Sequence, residues 1–184
     1  IMSIPLLRNT PEIERARTHW QYRGASRPKF AEAPKEGQLS VWDFPRPPII
    51  EEVEVTMTVR FKNRIIARTE RGRRVLETAG APTYYFPPED IIAPLSAGRT
   101  SSVCEWKGLA EPLSLPEATD VGWRYIEMFQ EFKTLHRWVA FYPSKVECYL
   151  GEQLVSTQPG GYYGGWVSDD LVGPIKGEPG SSGW

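Results

Sequence analysis

The sequence predicts a mainly β fold with short helices and extended terminal segments. The 184 residues include 17 Pro and 16 Gly, which interrupt helices and favour strands and loops. Residues 52–61 alternate apolar and polar side chains with the period of two that is typical of a half-buried strand. Hydrophobic residues make up 40% of the chain and include seven Trp, which is enough bulk for the core of one domain.

Composition and charge exclude several classes of function. The net charge of −1 argues against nucleic-acid binding, although Arg71, Arg73 and Arg74 form a short basic cluster. No apolar run reaches the roughly 18–20 residues that span a bilayer, and no signal peptide opens the chain. Two Cys and two His give no paired ligand motif. We therefore predict a cytoplasmic protein with no metal, no cofactor and no membrane contact.

Residues 1–40 are predicted to form an extended arm with one short helix. Thr10 is a suitable N-cap for a helix over Pro11–His19, with Pro at its first position. The run Trp42–Pro48 that follows is stiff and rich in Pro. It is either a docking motif for a proline-reading partner or a segment packed on its own domain through Trp42 and Phe44, and we favour the second reading.

Residues 41–157 are predicted to form the β-rich core. A strand over Glu52–Phe61 turns at Lys62-Asn63, where Asn tolerates positive φ, and returns as Arg64–Thr69. A third strand follows near Arg74–Thr78. On it, Glu77 either stands beside an apolar wall, where it could act as an acid or base, or it lies on the solvent face or pairs with an Arg such as Arg74.

Two adjacent tyrosines and an acidic helix start follow. In a strand over Tyr84–Phe86, Tyr84 and Tyr85 point to opposite faces, so that one belongs to the core and the other can offer its hydroxyl to a cavity. Pro87 then begins a helical turn. Asp90 in that turn is expected to cap it or to interact with its dipole before it does anything catalytic.

The next predicted strand, Thr100–Lys107, ends at Gly108. It places Cys104 and Trp106 on one face and Lys107 on the other. Cys104 is expected to be a small buried hydrophobe, because its activation as a nucleophile would need His136 from far along the chain.

The remaining core segments are a Pro-containing connector, a short helix, a strand and a hairpin. In chain order these are Leu109–Pro116, Gly122–Leu135, Trp138–Tyr142, and Lys145–Leu150 with Gln153–Ser156. The last part, residues 158–184, holds eight Gly and three Pro but also several Tyr and Trp. We predict that it is an ordered wrap around the core.

Several of these motifs resemble the family called domain of unknown function 427. They are Val41–Pro48, Val75–Thr78, Pro82–Asp90, Cys104–Gly108 and Trp138–Tyr142, which occur in the same order and cover roughly residues 41–150. The tail, with Gly160–Val167 and Val172–Gly180, resembles the long form found in cyanobacteria and plants.

The resemblance implies a compact antiparallel β-tent, an open barrel-like fold. Methionine sulfoxide reductase B and related zinc-dependent proteins have the same type of fold and commonly hold zinc through paired cysteines. This chain lacks such pairs, so neither their metal nor their chemistry is carried over, and the family lends no activity.

Our first functional hypothesis is a pocket for a small molecule, possibly an anion, at the open end of the β core. Strands that converge there would bring Glu77, Tyr84, Tyr85 and Lys107 together. In this pocket Lys107 would hold an anionic group, Glu77 would accept or relay a proton, and a Tyr hydroxyl would orient the ligand. The full set of candidate ligand-binding residues is Glu77, Tyr84, Tyr85, Lys107, Trp106, Cys104 and Asp90. We expect binding ahead of catalysis and assign no catalytic residue.

The alternative hypothesis is a protein-interaction or scaffold module. The Pro-rich arm and the Gly-rich tail could cover the sheet edges of their own domain, or they could reach another protein or a second copy of the chain. A homo-oligomer therefore remains an open possibility at this point.

Overall fold

A computed structural model describes residues 3–184 of the chain. Within them it has one α-helix, three short 3-10 helices and 16 strands. The helix α1 spans Pro11–Thr18, and the 3-10 helices span Val41–Asp43, Pro88–Asp90 and Gln130–Leu135. The strands are β1 Leu39–Ser40, β2 Ile49–Glu52, β3 Met57–Phe61, β4 Arg64–Thr69, β5 Arg73–Leu76, β6 Thr83–Tyr85, β7 Ser96–Ala97, β8 Ser102–Cys104, β9 Gly108–Leu115, β10 Ala118–Met128, β11 Val139–Phe141, β12 Glu147–Leu150, β13 Gln153–Leu154, β14 Ser156–Thr157, β15 Trp166–Val167 and β16 Leu171–Val172.

Three antiparallel sheets carry the fold. Their strand orders are β2-β5-β6, β13-β12-β3-β4 and β11-β10-β9-β7, with β8 also paired to β9. Two smaller pairs join β1 to β16 in parallel and β14 to β15 antiparallel. None of these sheets closes into a barrel within the described residues. The predicted class, mainly β with open antiparallel sheets and short helices, is confirmed.

The first hairpin is confirmed at its turn but not over its whole length. Lys62 and Asn63 both have positive φ, 46° and 64°, which is the geometry of a tight two-residue turn between β3 and β4. The prediction of one strand over Glu52–Phe61 is wrong. Residues 49–52 pair with β5, whereas β3 pairs with β4 and β12, so the chain passes from one sheet to another at residues 53–56.

The predicted helix is confirmed, and the predicted third strand begins one residue earlier than expected. Thr10 accepts a hydrogen bond from the backbone N–H of Ile13 and caps α1. Strand β5 begins at Arg73 and ends at Leu76, in the sheet with β2 and β6 rather than with the hairpin. Glu77 therefore follows the strand instead of lying on one of its faces.

The predicted connector Leu109–Pro116 and the predicted helix over Gly122–Leu135 are wrong for most of their length. They form the two longest strands, β9 and β10, and only Gln130–Leu135 is helical. Pro112 is tolerated in β9 because it falls between the stretch that pairs with β8 and the stretch that pairs with β7.

The strand predicted over Thr100–Lys107 is shorter than expected. Only β8 is extended, and a turn over residues 105–107 leads into β9. Gly108 begins β9 rather than ending a strand. Its φ is 143°, and a Cβ there would meet the backbone oxygen of Glu127 at 2.1 Å, so glycine permits a close approach of β9 to β10.

Three apolar clusters fill the interior. Tyr84 and Trp166 belong to the largest one, between the hairpin sheet and the β9–β11 sheet, whereas Tyr85 belongs to a second cluster around Met128. The two tyrosines thus lie on opposite faces of β6, as predicted, but both are buried. The third cluster contains Trp42, which is buried as the packing interpretation predicts.

The terminal segments pack on the sheets. The indole N–H of Trp166 donates to the backbone oxygen of Phe141 at 3.1 Å, which places this part of the tail in the core. Trp184 packs against Trp42, with ring centres 5.1 Å apart. Among residues 3–184, no helix has the length and apolar character needed to cross a bilayer.

Candidate functional site

A cleft of about 710 Å³ lies between the strands β8–β10 and the tail. Three parts of the chain line it. The arm provides Trp20, the strands and their loops provide residues such as Glu77, Lys107, Trp123 and Tyr125, and the tail provides Gln158, residues 161–165 and Lys176. The volume suits a small organic molecule.

Lys107 is the central cation of the cleft. It lies in the turn between β8 and β9, and its Nζ is 5.9 Å from the centre of the Tyr125 ring. Burial lowers the pKa of the Lys107 ammonium, but its neighbours outweigh burial, so that the pKa lies well above its ordinary value. These neighbours are, in order of influence, Tyr125, Tyr85, Cys104 and Glu77. The upward shift comes mainly from Tyr125, Tyr85 and Cys104, which attract the ammonium only once they have lost their own protons.

This ammonium has no partner of opposite charge. Among residues 3–184 its side chain forms no ion pair and no hydrogen bond, whereas nine other ion pairs occur. A partly buried charge without a partner is unusual, because desolvation is then not offset.

Two phenols stand beside Lys107. Tyr85 is fully buried, and its hydroxyl has no hydrogen-bond partner within the described part of the chain. Burial raises the pKa of Tyr85, and Lys107 opposes the rise. Burial likewise raises the pKa of Tyr125 well above its ordinary value. Both hydroxyls therefore keep their protons at neutral pH and can act as hydrogen-bond donors.

Glu77 is held by an arginine other than the one predicted. Arg46, whose side chain is fully buried, donates to the Glu77 carboxylate at 3.2 Å, whereas Arg74 pairs with Glu51 at 2.8 Å. Arg46 also donates to the backbone oxygens of Tyr22, Thr78 and Trp184. Glu77 thus lines the cleft as an ion-paired carboxylate.

Trp20 and Lys176 form the wall opposite the strands. The indole N–H of Trp20 donates to Glu105 at 2.8 Å, and the Nζ of Lys176 lies 3.8 Å from the centre of the Trp20 ring. Burial, helped by the charge of Arg46, lowers the pKa of Lys176 to about 8. This amine is much closer to losing its proton at neutral pH than an ordinary lysine.

Cys104 and Trp106 differ in their access to the cleft. Cys104 lines it, but burial raises the pKa of its thiol, which disfavours the thiolate that a nucleophile requires. His136 donates instead to the backbone oxygen of Ile126 at 3.0 Å. Trp106 is buried behind the wall, and its indole N–H has no partner among the described residues.

Of the predicted site residues, Glu77, Cys104 and Lys107 line the cleft. Tyr85 and Trp106 are buried and do not line it, and Tyr84 and Asp90 lie elsewhere. Tyr84 lies on the other face of β6, stacks on Trp166 at 4.8 Å and borders a separate cleft of about 530 Å³. Asp90 accepts hydrogen bonds from Thr69 and Arg71 on the surface of the hairpin sheet. Its partners indicate a structural role.

Sequence reasoning missed Trp20, Tyr125 and Lys176 as cleft residues. Trp123 and Tyr125 are two residues apart, which is the spacing of side chains on one face of a strand, but the sequence predicts a helix over Gly122–Leu135. No local signal marks Trp20 or Lys176, because each reaches the cleft from a terminal segment. Within residues 3–184, no group of three or more His, Cys, Asp or Glu side chains is arranged to hold a metal ion.

One comparison with known proteins is informative. The family model described as "Domain of unknown function (DUF427)" matches residues 49–152, more than half of the chain. No curated protein matches the sequence. The matched region holds Glu77, Tyr85, Cys104, Lys107 and Tyr125, whereas Trp20 and Lys176 lie outside it. The chain belongs to the domain of unknown function 427 family.

Proposed function

We propose that this protein binds a small anionic molecule in the cleft between β8–β10 and the tail. The observation that carries the proposal is the Lys107 amine, which lines the cleft, is partly buried and has no ion-pair partner in the described structure. A bound carboxylate or phosphate would provide the missing counter-charge.

The neighbouring donors favour the same ligand. Tyr85 has a buried hydroxyl without a partner, and Tyr125 keeps its phenolic proton beside Lys107. An anion that reaches Lys107 from the cleft could accept from its amine and from the Tyr125 hydroxyl, whereas Tyr85 is buried and does not line the cleft. Hydrogen bonds to a charged acceptor are stronger than those to a neutral one, so such a site would also orient the ligand.

Aromatic side chains extend from this position along the cleft. Trp123 packs against Tyr142, with ring centres 4.6 Å apart, and against Tyr85 at 6.4 Å. Tyr163 lines the tail side. These rings offer flat apolar surface, so we expect a ligand that joins an anionic group to an apolar or planar part.

We favour binding over catalysis. The Cys104 thiol is held in its neutral form, and the Glu77 carboxylate is engaged by Arg46. Glu77 therefore serves as a fixed charge, as does Glu111, which pairs with Arg124; Glu105 and Asp120 are the other carboxylates that line the cleft. The cytoplasmic location and the possible homo-oligomer remain predictions from the sequence.

A thermal-shift screen of small carboxylates and phosphates tests the proposal. A ligand present at about 100 times its dissociation constant should add about 2.7 kcal/mol to the free energy of unfolding. We expect Lys107→Met to abolish that stabilisation. Lys145→Met is the matched control, because Lys145 lines the same cleft but is exposed. Ligands that stabilise both variants equally would show that the anion site lies elsewhere.

The alternative, an interaction module that acts through the arm and the tail, rests on weaker support. Two of the four Trp in these segments, Trp42 and Trp166, are at most 1% exposed and serve the core. Sedimentation of the full chain at increasing concentration tests this alternative. Association that disappears when the exposed Tyr162 is replaced by Ser would favour it.

A further inference from the structure

Lys176 occupies an unusual position in the cleft. The residue lines the cleft, yet it is only 3% exposed. Its Nζ lies 3.8 Å from the centre of the Trp20 ring and 5.2 Å from the centre of the Tyr163 ring. Within the described residues, the Lys176 Nζ donates one hydrogen bond, to the backbone oxygen of Trp184 at 3.3 Å.

The charges around this amine are engaged with other partners. Arg46 donates to the same oxygen of Trp184 at 3.1 Å, so two cationic groups lie side by side. Glu77 is paired with Arg46, and Glu105 accepts from the indole of Trp20. No carboxylate forms an ion pair with Lys176 among residues 3–184. Burial and the charge of Arg46 lower the pKa of Lys176 by more than Glu77 and Glu105 raise it, so that it falls to about 8.

We propose that Lys176 is a nucleophilic amine that captures small carbonyl compounds in the cleft as an imine. The unprotonated nitrogen attacks the carbonyl carbon, and a proton moves from nitrogen to oxygen to give a carbinolamine. That oxygen then leaves as water, and a carbon–nitrogen double bond forms. The step requires no oxidant or reductant, and partly desolvated lysines near another cation are suited to it.

The proposal rests on the function proposed above in one respect, namely the class of carbonyl compound. Lys107 provides a second cation in the same cleft, and it is the group that would hold a carboxylate. We therefore expect small oxo acids to react with Lys176 more readily than uncharged aldehydes of similar size.

Reductive trapping on the full chain tests the proposal. The protein is incubated with glyoxylate or with acetaldehyde near the pKa of Lys176, reduced with cyanoborohydride and mapped by peptide mass spectrometry. We expect the amount of adduct at Lys176 to be severalfold higher than at the exposed Lys29 and Lys62. We expect this ratio to be higher with glyoxylate than with acetaldehyde. Even labelling of all lysines, or no adduct at Lys176, would overturn the proposal.

Variants supply the matched controls. Lys176→Arg keeps a cation but cannot form an imine, and it should lose the cleft adduct. Lys145→Met removes an exposed amine of the same cleft and should leave the Lys176 adduct unchanged. Circular dichroism shows whether each variant is folded, and the wild-type map decides the question even if Lys176→Arg does not fold.

Acetate, which has a carboxylate but no carbonyl group that forms an imine, separates this proposal from the previous one. Stabilisation by acetate that depends on Lys107, without an adduct at Lys176, would support the anion site and overturn imine formation. An adduct at Lys176 that forms equally from both aldehydes, with no stabilisation by acetate, would support imine formation and contradict the anion site.

Discussion

Arg46 connects the three parts of the chain through one buried side chain. It donates to the backbone oxygen of Tyr22 in the arm, to Glu77 and Thr78 in the core, and to Trp184 in the tail. Its guanidinium also lies over the ring of Trp20, 4.4 Å from the ring centre. Removal of this group would leave the acceptors on Tyr22, Glu77 and Thr78 without their donor, whereas Trp184 would keep its hydrogen bond from Lys176.

We predict that Arg46→Met destabilises the protein by about 3 kcal/mol, because it leaves a partly buried carboxylate and the carbonyls of Tyr22 and Thr78 unpaired. Arg27→Met is the control, since the two-point pair of Arg27 with Asp43 lies on the surface and should contribute at most about 1 kcal/mol. Urea unfolding of both variants measures the difference. Equal losses would show that Arg46 does not have this structural role.

The pH dependence of stability is predicted at Lys176. Its pKa is about 8 in the folded protein and 10.5 for an ordinary lysine, so the unfolded chain binds more protons between these values. Stability should therefore rise with pH across that window, by at most about 1.4 kcal/mol per unit, and this contribution should be constant below pH 8.

The difference in unfolding free energy between wild type and Lys176→Met isolates this contribution, because the other titrating groups are common to both proteins. Chemical unfolding at several pH values gives the difference. A difference that does not change with pH from about 8 to 10.5 would contradict the lowered pKa.

At the scale of elements, local signals predicted turns and caps well but failed where tertiary pairing decides. Asn63 and Thr10 act within a few residues, so the first hairpin and α1 followed directly from the sequence. Pro112 suggested the end of a strand, yet β9 continues through it. Opposite β10, β9 pairs with β8 before Pro112 and with β7 after it, so Pro112 itself faces neither strand. The helical spacing of Phe129, Phe132 and Leu135 is real only from residue 130 onward.

The candidate site was predictable to the same limited extent. Glu77, Cys104 and Lys107 are close in sequence, which led to their choice, but Glu77 and Lys107 lie just outside strands, so alternation does not place them. Tyr84 belongs to the opposite face, and the choice between the two tyrosines depends on which sheet covers each face. Trp20 and Lys176 arrive through long-range packing that no local pattern encodes.

The tail element contains a matched pair of glycines that tests its packing. Gly160 and Gly161 both have positive φ, 88° and 73°, but only at Gly160 would a Cβ meet backbone, the Gly177 oxygen at 2.2 Å. Gly161→Ala should cost about 1–2 kcal/mol in backbone strain, and Gly160→Ala clearly more.

Gly160→Ala should also weaken ligand binding in the cleft, because Gln158 donates to the backbone oxygen of Lys176 at 2.9 Å and the clash separates these two segments. Thermal unfolding and ligand titration of both variants provide the measurements. Equal effects of the two substitutions would mean that the tail is not packed on itself as described.

At the scale of the whole molecule, the cleft requires more than the family core. The family model matches residues 49–152, whereas Trp20 and Lys176 lie on either side of that region and complete the cleft wall. Trp166, also outside it, is fully buried in the largest apolar cluster. The terminal segments are therefore parts of the core and of the candidate site.

We predict that a fragment of residues 41–157 does not reach the native fold, since it lacks the buried Trp166, whose loss alone should cost about 3–5 kcal/mol. Circular dichroism and urea unfolding of the fragment and of the full chain test this. A fragment with nearly the stability of the full chain would contradict the account. If only the full chain then associated, the interaction alternative would be favoured.

The central claim is that Lys107 and its phenols form an anion site, and a bromide soak of crystals tests it most directly. Anomalous scattering locates bromide without any knowledge of the natural ligand. We predict a bromide peak in the cleft, in contact with the Lys107 amine and next to Tyr125, in wild type, and no peak there in Lys107→Met. Bromide found only on the outer surface, with this position filled by water, would contradict the claim.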